Sequence, residues 1–231
     1  VAEALSHAGY ENNARVKINW VDSEKLTEES CSRYLEEMDG VIVPGGFGGR
    51  GIQGMTHAAH YARVNRIPYF GICLGMQVAV IEYARNVLAW SDANSSEFDP
   101  KCTHPVIDLM PDQQGNLPKG GTMRLGAYPC EIQPGTVLER AYQRRSVGER
   151  HRHRYEFNNS YRQQLEEAGL VISGTSPDGR LVEAVELPGH DFYVGVQYHP
   201  EFKSRPNRAQ PLFREFIAAA LKKQGEILEK L

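Results

Sequence analysis

Ile67-Pro68-Tyr69-Phe70-Gly71-Ile72-Cys73-Leu74-Gly75-Met76-Gln77 joins a short apolar run to an amphipathic segment through Gly-x-Cys-x-Gly. This is the pattern of a nucleophile elbow, a sharp strand-to-helix turn that lifts the nucleophile to the edge of a sheet, with flanking glycines making room for the tight backbone path. Here the raised atom is a sulfur. A cysteine just before a helix start meets the positive end of the macrodipole, which favours the thiolate. Pairing with a histidine can make the thiolate the major species, so the chain is expected to supply one.

Phe192-Tyr193-Val194-Gly195-Val196-Gln197-Tyr198-His199-Pro200-Glu201-Phe202 reads as a buried strand running into a proline, with His199 and Glu201 at its mouth. Side chains two apart on an extended chain leave from the same face, so Glu201 can reach one ring nitrogen of His199 and leave the other for Cys73. Pro200 holds His199 extended, which protects the spacing. Nucleophile, base and orienting carboxylate are thus expected to be Cys73, His199 and Glu201.

Outward from these anchors, strand candidates alternate with amphipathic helices. Val1 to His7 predicts a helix, Val16 to Val21 a strand, Leu26 to Glu37 a helix, and Gly40 to Pro44 a strand ending in glycines. Ile52 to Asn65 predicts a helix, Tyr69 to Ile72 a strand and Met76 to Leu88 a helix. Such alternation implies an α/β fold with a mainly parallel central sheet and helices on both faces, whose ligands sit beyond the carboxyl ends of the strands. Further along, Val106 to Met110 is apolar, Gln113 to Gly121 is a turn-rich loop, and Gly126 to Ile132 predicts a strand. Asp178-Gly179, between Leu170 to Thr175 and Leu181 to Glu186, signals a hairpin, so antiparallel strands extend the sheet. A last helix runs from Leu212 to about Lys223 or beyond. No repeat or linker divides the chain, and residues 1–231 read as one domain.

The 231 residues can bury a substantial core, and a formal net charge of −3 offers nothing to attract nucleic acid or an anionic membrane. No apolar stretch approaches the roughly 20 residues that span a bilayer, and no signal pattern opens the chain. A cytoplasmic location is the expectation. Opening at Val1, without methionine and directly in a helical pattern, the chain reads as a fragment of a longer protein. Cys31, Cys73, Cys102 and Cys130 have neither C-x-x-C spacing nor the density of a disulfide scaffold. His151 and His153 alternate on one strand face but lack accompanying ligands at set spacing, so no metal is expected. Taken alone, Pro44-Gly45-Gly46-Phe47-Gly48-Gly49 is a strand-ending loop; beside a cysteine nucleophile its amides gain a second use, as donors to a tetrahedral oxyanion.

Gly71-Ile72-Cys73-Leu74-Gly75-Met76-Gln77, Pro44-Gly45-Gly46-Phe47-Gly48 and Tyr198-His199-Pro200-Glu201 resemble the three signatures of class I, triad-type glutamine amidotransferases. Asp92-Ala93-Asn94-Ser95-Ser96-Glu97-Phe98, Gly120-Gly121-Thr122-Met123-Arg124-Leu125-Gly126 and Glu149-Arg150-His151-Arg152-His153-Arg154-Tyr155-Glu156 resemble, within that class, the glutaminase half of the CTP synthase family. The likeness runs from about Val1 to near Leu212. It implies a flavodoxin-like class I amidotransferase fold and hydrolysis of L-glutamine through a γ-glutamyl thioester on Cys73. By the same resemblance, the amides of Gly46 and Leu74 form the oxyanion hole, and Gly46, Phe47, Gln77, Glu97, Arg154 and Tyr155 hold glutamine. Arg154 takes the α-carboxylate and Glu97 the α-ammonium. Arg50 falls in a region linked to activation by GTP.

The resemblance further implies an N-terminal synthase domain of the same polypeptide, working with ATP and Mg²⁺ to aminate UTP, and a homotetrameric whole protein. This domain itself needs no cofactor. The chain carries no G-x-x-x-x-G-K-[ST] loop and should make ammonia but not CTP. Three further readings stay open: the glutaminase of another amidotransferase, such as GMP or anthranilate synthase; a non-amidotransferase cysteine hydrolase or stress protein built on a similar elbow; and a catalytically silent docking module.

Overall fold

The first helix follows the spacing of Ala4, Leu5 and Ala8, which turn one apolar stripe inward. In the computed structural model, which describes residues 1–109 and 123–228, this helix is Ala2–Glu11 (α1). Then come Cys31–Leu35 (α2), Val41–Val43 (β1), Ile52–Val64 (α3), Tyr69–Ile72 (β2), Leu74–Asn86 (α4), Asn94–Ser95 (β3) and Pro105–Asp108 (β4). Arg124–Ile132 (β5), Val137–Tyr142 (α5), Ser146–His153 (β6), Glu156–Phe157 (β7) and Arg162–Glu167 (α6) follow. Val171–Thr175 (β8), Val182–Glu186 (β9), Tyr193–Val196 (β10) and Pro211–Leu228 (α7) complete the order. Met110, the Gln113 to Gly121 loop and Thr122 lie outside the described residues.

Seven strands form the main sheet in the order β1-β2-β10-β9-β8-β5-β6. β1–β2 and β2–β10 are parallel, whereas β10–β9, β9–β8, β8–β5 and β5–β6 are antiparallel. The α/β layering is as expected, but the added antiparallel strands outnumber the parallel ones. Within this sheet, parallel pairing is confined to the part that carries the elbow. A second sheet of three short strands, β3-β4-β7, lies beside it.

Alternation along the parallel strands splits the core in two. Tyr69 and Tyr193 face one side, stacked 4.6 Å apart, in a cluster with residues of α3 and α4. Phe70, Val194 and Val196 face the other, with residues of α1, α5 and α7, and Phe70 makes edge contacts with Phe192 and Phe213. Full burial of each such ring contributes about 2–3 kcal/mol.

Two elements depart from the sequence reading. Val16–Val21 alternates apolar and polar residues, yet it joins no ladder; it faces β1 across a cleft of about 670 Å³ lined by Val16, Ile18, Trp20, Ile42 and Phe216. Alternation specifies which side a residue faces, and only a neighbouring edge turns that into a strand. The helix expected over Leu26 to Glu37 starts late, at Cys31. The Thr27 amide donates to Ser30 Oγ and the Ser30 amide to Thr27 Oγ1, and this reciprocal turn occupies the backbone where the first helical turn would lie.

Candidate active site

Cys73 sits between β2 and α4 with φ 54° and ψ −102°, an unusual backbone for a non-glycine residue. Its amide donates to the Val196 carbonyl at 2.7 Å, which ties the elbow to β10. Both flanking glycines are required by contact. A Cβ on Gly71 would stand 2.5 Å from the Gly75 carbonyl oxygen, and one on Gly75 only 2.0 Å from the Val43 carbonyl oxygen. The elbow therefore closes only because α4 can press directly on β1.

His199 follows β10, and its Nδ1 meets Glu201 Oε1 at 2.9 Å; the pair is the expected one, but Pro200–Lys203 forms a 3-10 helical turn rather than extended chain, so the turn and not strand alternation brings the two side chains together. Its Nε2 is buried and makes no hydrogen bond among the described residues. Gly45 lies between this ring and the nucleophile: a Cβ there would fall 2.6 Å from His199 Cε1 and 3.4 Å from Cys73 Cβ. Any side chain at position 45 would push the imidazole and the cysteine apart. The sequence reading gave Gly45 no such task; its signal was a glycine pair closing a strand.

Burial pushes the Cys73 thiol up to about 12, with the Glu201 and Glu156 carboxylates adding to the rise, against hydrogen bonds from the Leu74 amide and the Gln197 side chain. Burial thus works against the thiolate that the sequence reading expected the helix start and a histidine to favour. Desolvation at a site only 3% exposed outweighs the donors that reach it.

A cavity of about 80 Å³ opens at the sulfur, lined by Gly46, Phe47, Cys73, Gln77, Glu97, Met123, His153, Arg154 and Tyr155. Residues expected from four distant blocks of sequence meet there. Gly46 also faces Leu74, whose Cδ2 would lie 3.1 Å from a Cβ at position 46. Burial raises the Glu97 carboxyl above its ordinary value, while the Gly48 amide and the Arg154 charge pull it down. Arg50 does not line this cavity; it is exposed and paired with Glu24 at 2.5 Å.

The wall carrying Arg154 and Tyr155 is braced from behind. Arg124 bonds Glu156 and Glu183 and lies 4.7 Å over the Tyr128 ring, so one guanidinium joins β5, β7 and β9. Burial and the nearby Arg124 charge lower the pKa values of His151 and His153 to about 2 and 3, so both rings are neutral. They contact each other at 2.8 Å, and His153 Nδ1 approaches the Tyr155 carbonyl at 3.1 Å. This fits a structural pair. Among the described residues, no group of three or more His, Cys, Asp or Glu could hold a metal ion.

Met123, His153 and Gln197 were missed as members of the site. Gln197 had a readable signal: it is a lone amide in the apolar run before Tyr198.

An acidic side chain and a guanidinium thus line the cavity beside a buried thiol, and an imidazole–carboxylate pair lies across Gly45 from it. The chain belongs to the glutamine amidotransferase class-I family, whose model matches residues 1–219. Within that family it falls with the glutaminase domains of CTP synthases. It is 58% identical over 96% of its length to a CTP synthase of Listeria monocytogenes, and 61% identical over 96% to one of Carboxydothermus hydrogenoformans. It spans 42% of the length of each of these relatives. A solved structure, the Trypanosoma brucei CTPS glutaminase domain with bound acivicin, superposes with a TM-score of 0.91 at 43% identity, covering 96% of this chain and 86% of that one. Among the described residues, no helix is long and apolar enough to cross a membrane.

Proposed function

We propose that the chain hydrolyses L-glutamine to glutamate and ammonia at Cys73. The observation that carries this reading is the cavity at the Cys73 sulfur, with Glu97 and Arg154 in its lining to take the α-ammonium and α-carboxylate of an amino acid. Phe47, Gln77 and Tyr155 complete the enclosure. Cys73 gives its proton to His199 Nε2 as the sulfur attacks the side-chain amide carbon, while Glu201 steadies the imidazolium through Nδ1. The amides of Gly46 and Leu74 receive the developing oxyanion, each contributing on the order of 3 kcal/mol. Collapse breaks the C–N bond, the proton on His199 leaves with ammonia, and a γ-glutamyl thioester remains. Water then gives a proton to His199 and its oxygen to the acyl carbon, releasing glutamate and returning the thiol.

In the longer protein, the ammonia serves ATP- and Mg²⁺-dependent amination of UTP to CTP in an N-terminal synthase domain. GTP is the activator, with Arg50 near its site, and the assembly is a cytoplasmic homotetramer. The relatives' length and names support the synthase domain and its CTP-forming reaction; the GTP, tetramer and location readings rest on the sequence resemblance.

Exposure to diazo-oxo-norleucine followed by peptide mass spectrometry tests the site. A single adduct on Cys73, blocked by excess glutamine, is expected; label distributed over Cys31, Cys102 and Cys130 would overturn it.

A further inference from the structure

Gln197 is fully buried one residue past the end of β10, where every neighbour from Tyr193 to Tyr198 except itself is apolar. Its Nε2 lies 3.6 Å from Cys73 Sγ. Its Oε1 accepts from Gln77 Nε2 at 3.2 Å, and the same Gln77 nitrogen donates to the Tyr155 carbonyl at 3.2 Å.

We propose that Gln197 is a fixed hydrogen-bond donor to the Cys73 sulfur, oriented by Gln77, so that the nucleophile and the glutamine-facing wall at Tyr155 share one buried relay of amides. The inference rests on the cysteine reading above and deepens it.

The direction of the relay follows from chemistry at its far end. A backbone carbonyl only accepts, so the Gln77 group facing Tyr155 is the NH₂. The second N–H of that NH₂ then points at Gln197, which must answer with its oxygen. That leaves the Gln197 NH₂ turned to the sulfur: flipping Gln77 would set acceptor against acceptor, and flipping Gln197 would set donor against donor. The Gln197 amide nitrogen is itself held by the Glu183 carbonyl at 2.8 Å, and Glu183 is tied to Arg124, so the backbone beneath the donor is fixed too.

A donor in a dry site acts selectively on charge. It does little for a thiol and much for a thiolate, and hydrogen bonds to charged groups are about twice as strong as neutral ones. Carboxylates at Glu201 and Glu156 oppose the thiolate, so an uncharged donor adds stabilisation without adding a charge to bury.

The test is the pH profile of Cys73 alkylation by iodoacetamide, followed by mass spectrometry, in the wild-type chain and in Gln197→Met, Gln197→Glu and Gln77→Leu. Gln197→Met removes the donor at similar volume. Gln197→Glu keeps an acceptor for Gln77 and loses the N–H toward sulfur. Well below the thiol pKa the rate follows the thiolate fraction. Both Gln197 variants are expected to slow alkylation at pH 7.5 about tenfold or more. Gln77→Leu keeps the Gln197 donor but removes the group that orients it, together with the bond to the Tyr155 carbonyl, and should slow alkylation by a smaller factor in the same direction. Unchanged rates in whichever Gln197 variant keeps the wild-type melting temperature would overturn the proposal, as would a Gln77→Leu profile superimposable on wild type. Alkylation needs no glutamine turnover, so a failed glutaminase assay and a failed relay are read separately.

Discussion

Glu149 offers the sharpest quantitative check. Its carboxyl is 2% exposed on β6, accepts from Tyr142 Oη at 2.9 Å and from Gln210 Nε2 at 3.5 Å, and leaves its second oxygen buried without a hydrogen bond. Burial lifts it from 4.5 to about 7, aided by Glu201 and opposed by Lys203 and the two donors. The unfolded chain ionises first, so stability from this group is complete below about 4.5 and lost as pH rises through about 7. At about 1.4 kcal/mol per pH unit the full loss is about 3 kcal/mol, of which about 2.5 kcal/mol falls between pH 5 and pH 8. Glu149→Gln keeps an acceptor for Tyr142 and Gln210 and cannot ionise. Urea unfolding of both proteins at several pH values isolates the effect, because other titrating groups cancel in the difference. The variant should gain about 2.5 kcal/mol relative to wild type on going from pH 5 to pH 8. A difference that stays flat across that range, or runs the other way, refutes the buried-carboxylate reasoning.

Two further outcomes follow from charges elsewhere. Glu97 must be ionised to hold an ammonium, and its pKa is raised by burial, so KM for glutamine should climb on acidification at a higher pH than an ordinary carboxylate would give. In Glu97→Gln the KM should be high throughout and flat with pH, as initial rates of glutamate release would show. Glu82 is completely buried and held by Arg63 at 2.7 Å and His60 at 2.7 Å. Arg63→Met should cost about 3 kcal/mol by leaving that carboxylate poorly paired, and adding Glu82→Gln should recover part of it; equal losses in single and double variants would contradict the pairing.

The elbow could be read from sequence because each of its features answers a short-range demand. Gly71 and Gly75 stand where backbone atoms meet, whereas Pro200, read as keeping the chain extended, instead opens the 3-10 turn that carries Glu201. The hairpin at Asp178-Gly179 was legible for the same reason, since Gly179 takes φ +70°. Pairing beyond that hairpin was not, because a buried strand such as Tyr193–Val196 carries no mark of direction, although it runs parallel to β2 and antiparallel to β9. Val16–Val21 shows the converse: its pattern is sound, but no edge meets it. The Arg124 bridge escaped notice because its partners, Glu156 and Glu183, lie on other strands and are buried, where sequence position favours exposure.

The division of the core bears on how this protein tolerates change. Phe70 and Ile72 belong to the cluster with α1, α5 and α7, whereas Leu74 and Met76 belong to the one with α3 and α4. Cys73 packs with the first cluster and the very next residue enters the second, so the chain changes sides of the sheet at the nucleophile. A slackened side chain on either side of the sheet therefore lies one residue from the sulfur, and weakened interior packing is expected to show in the chemistry as well as in the melting temperature.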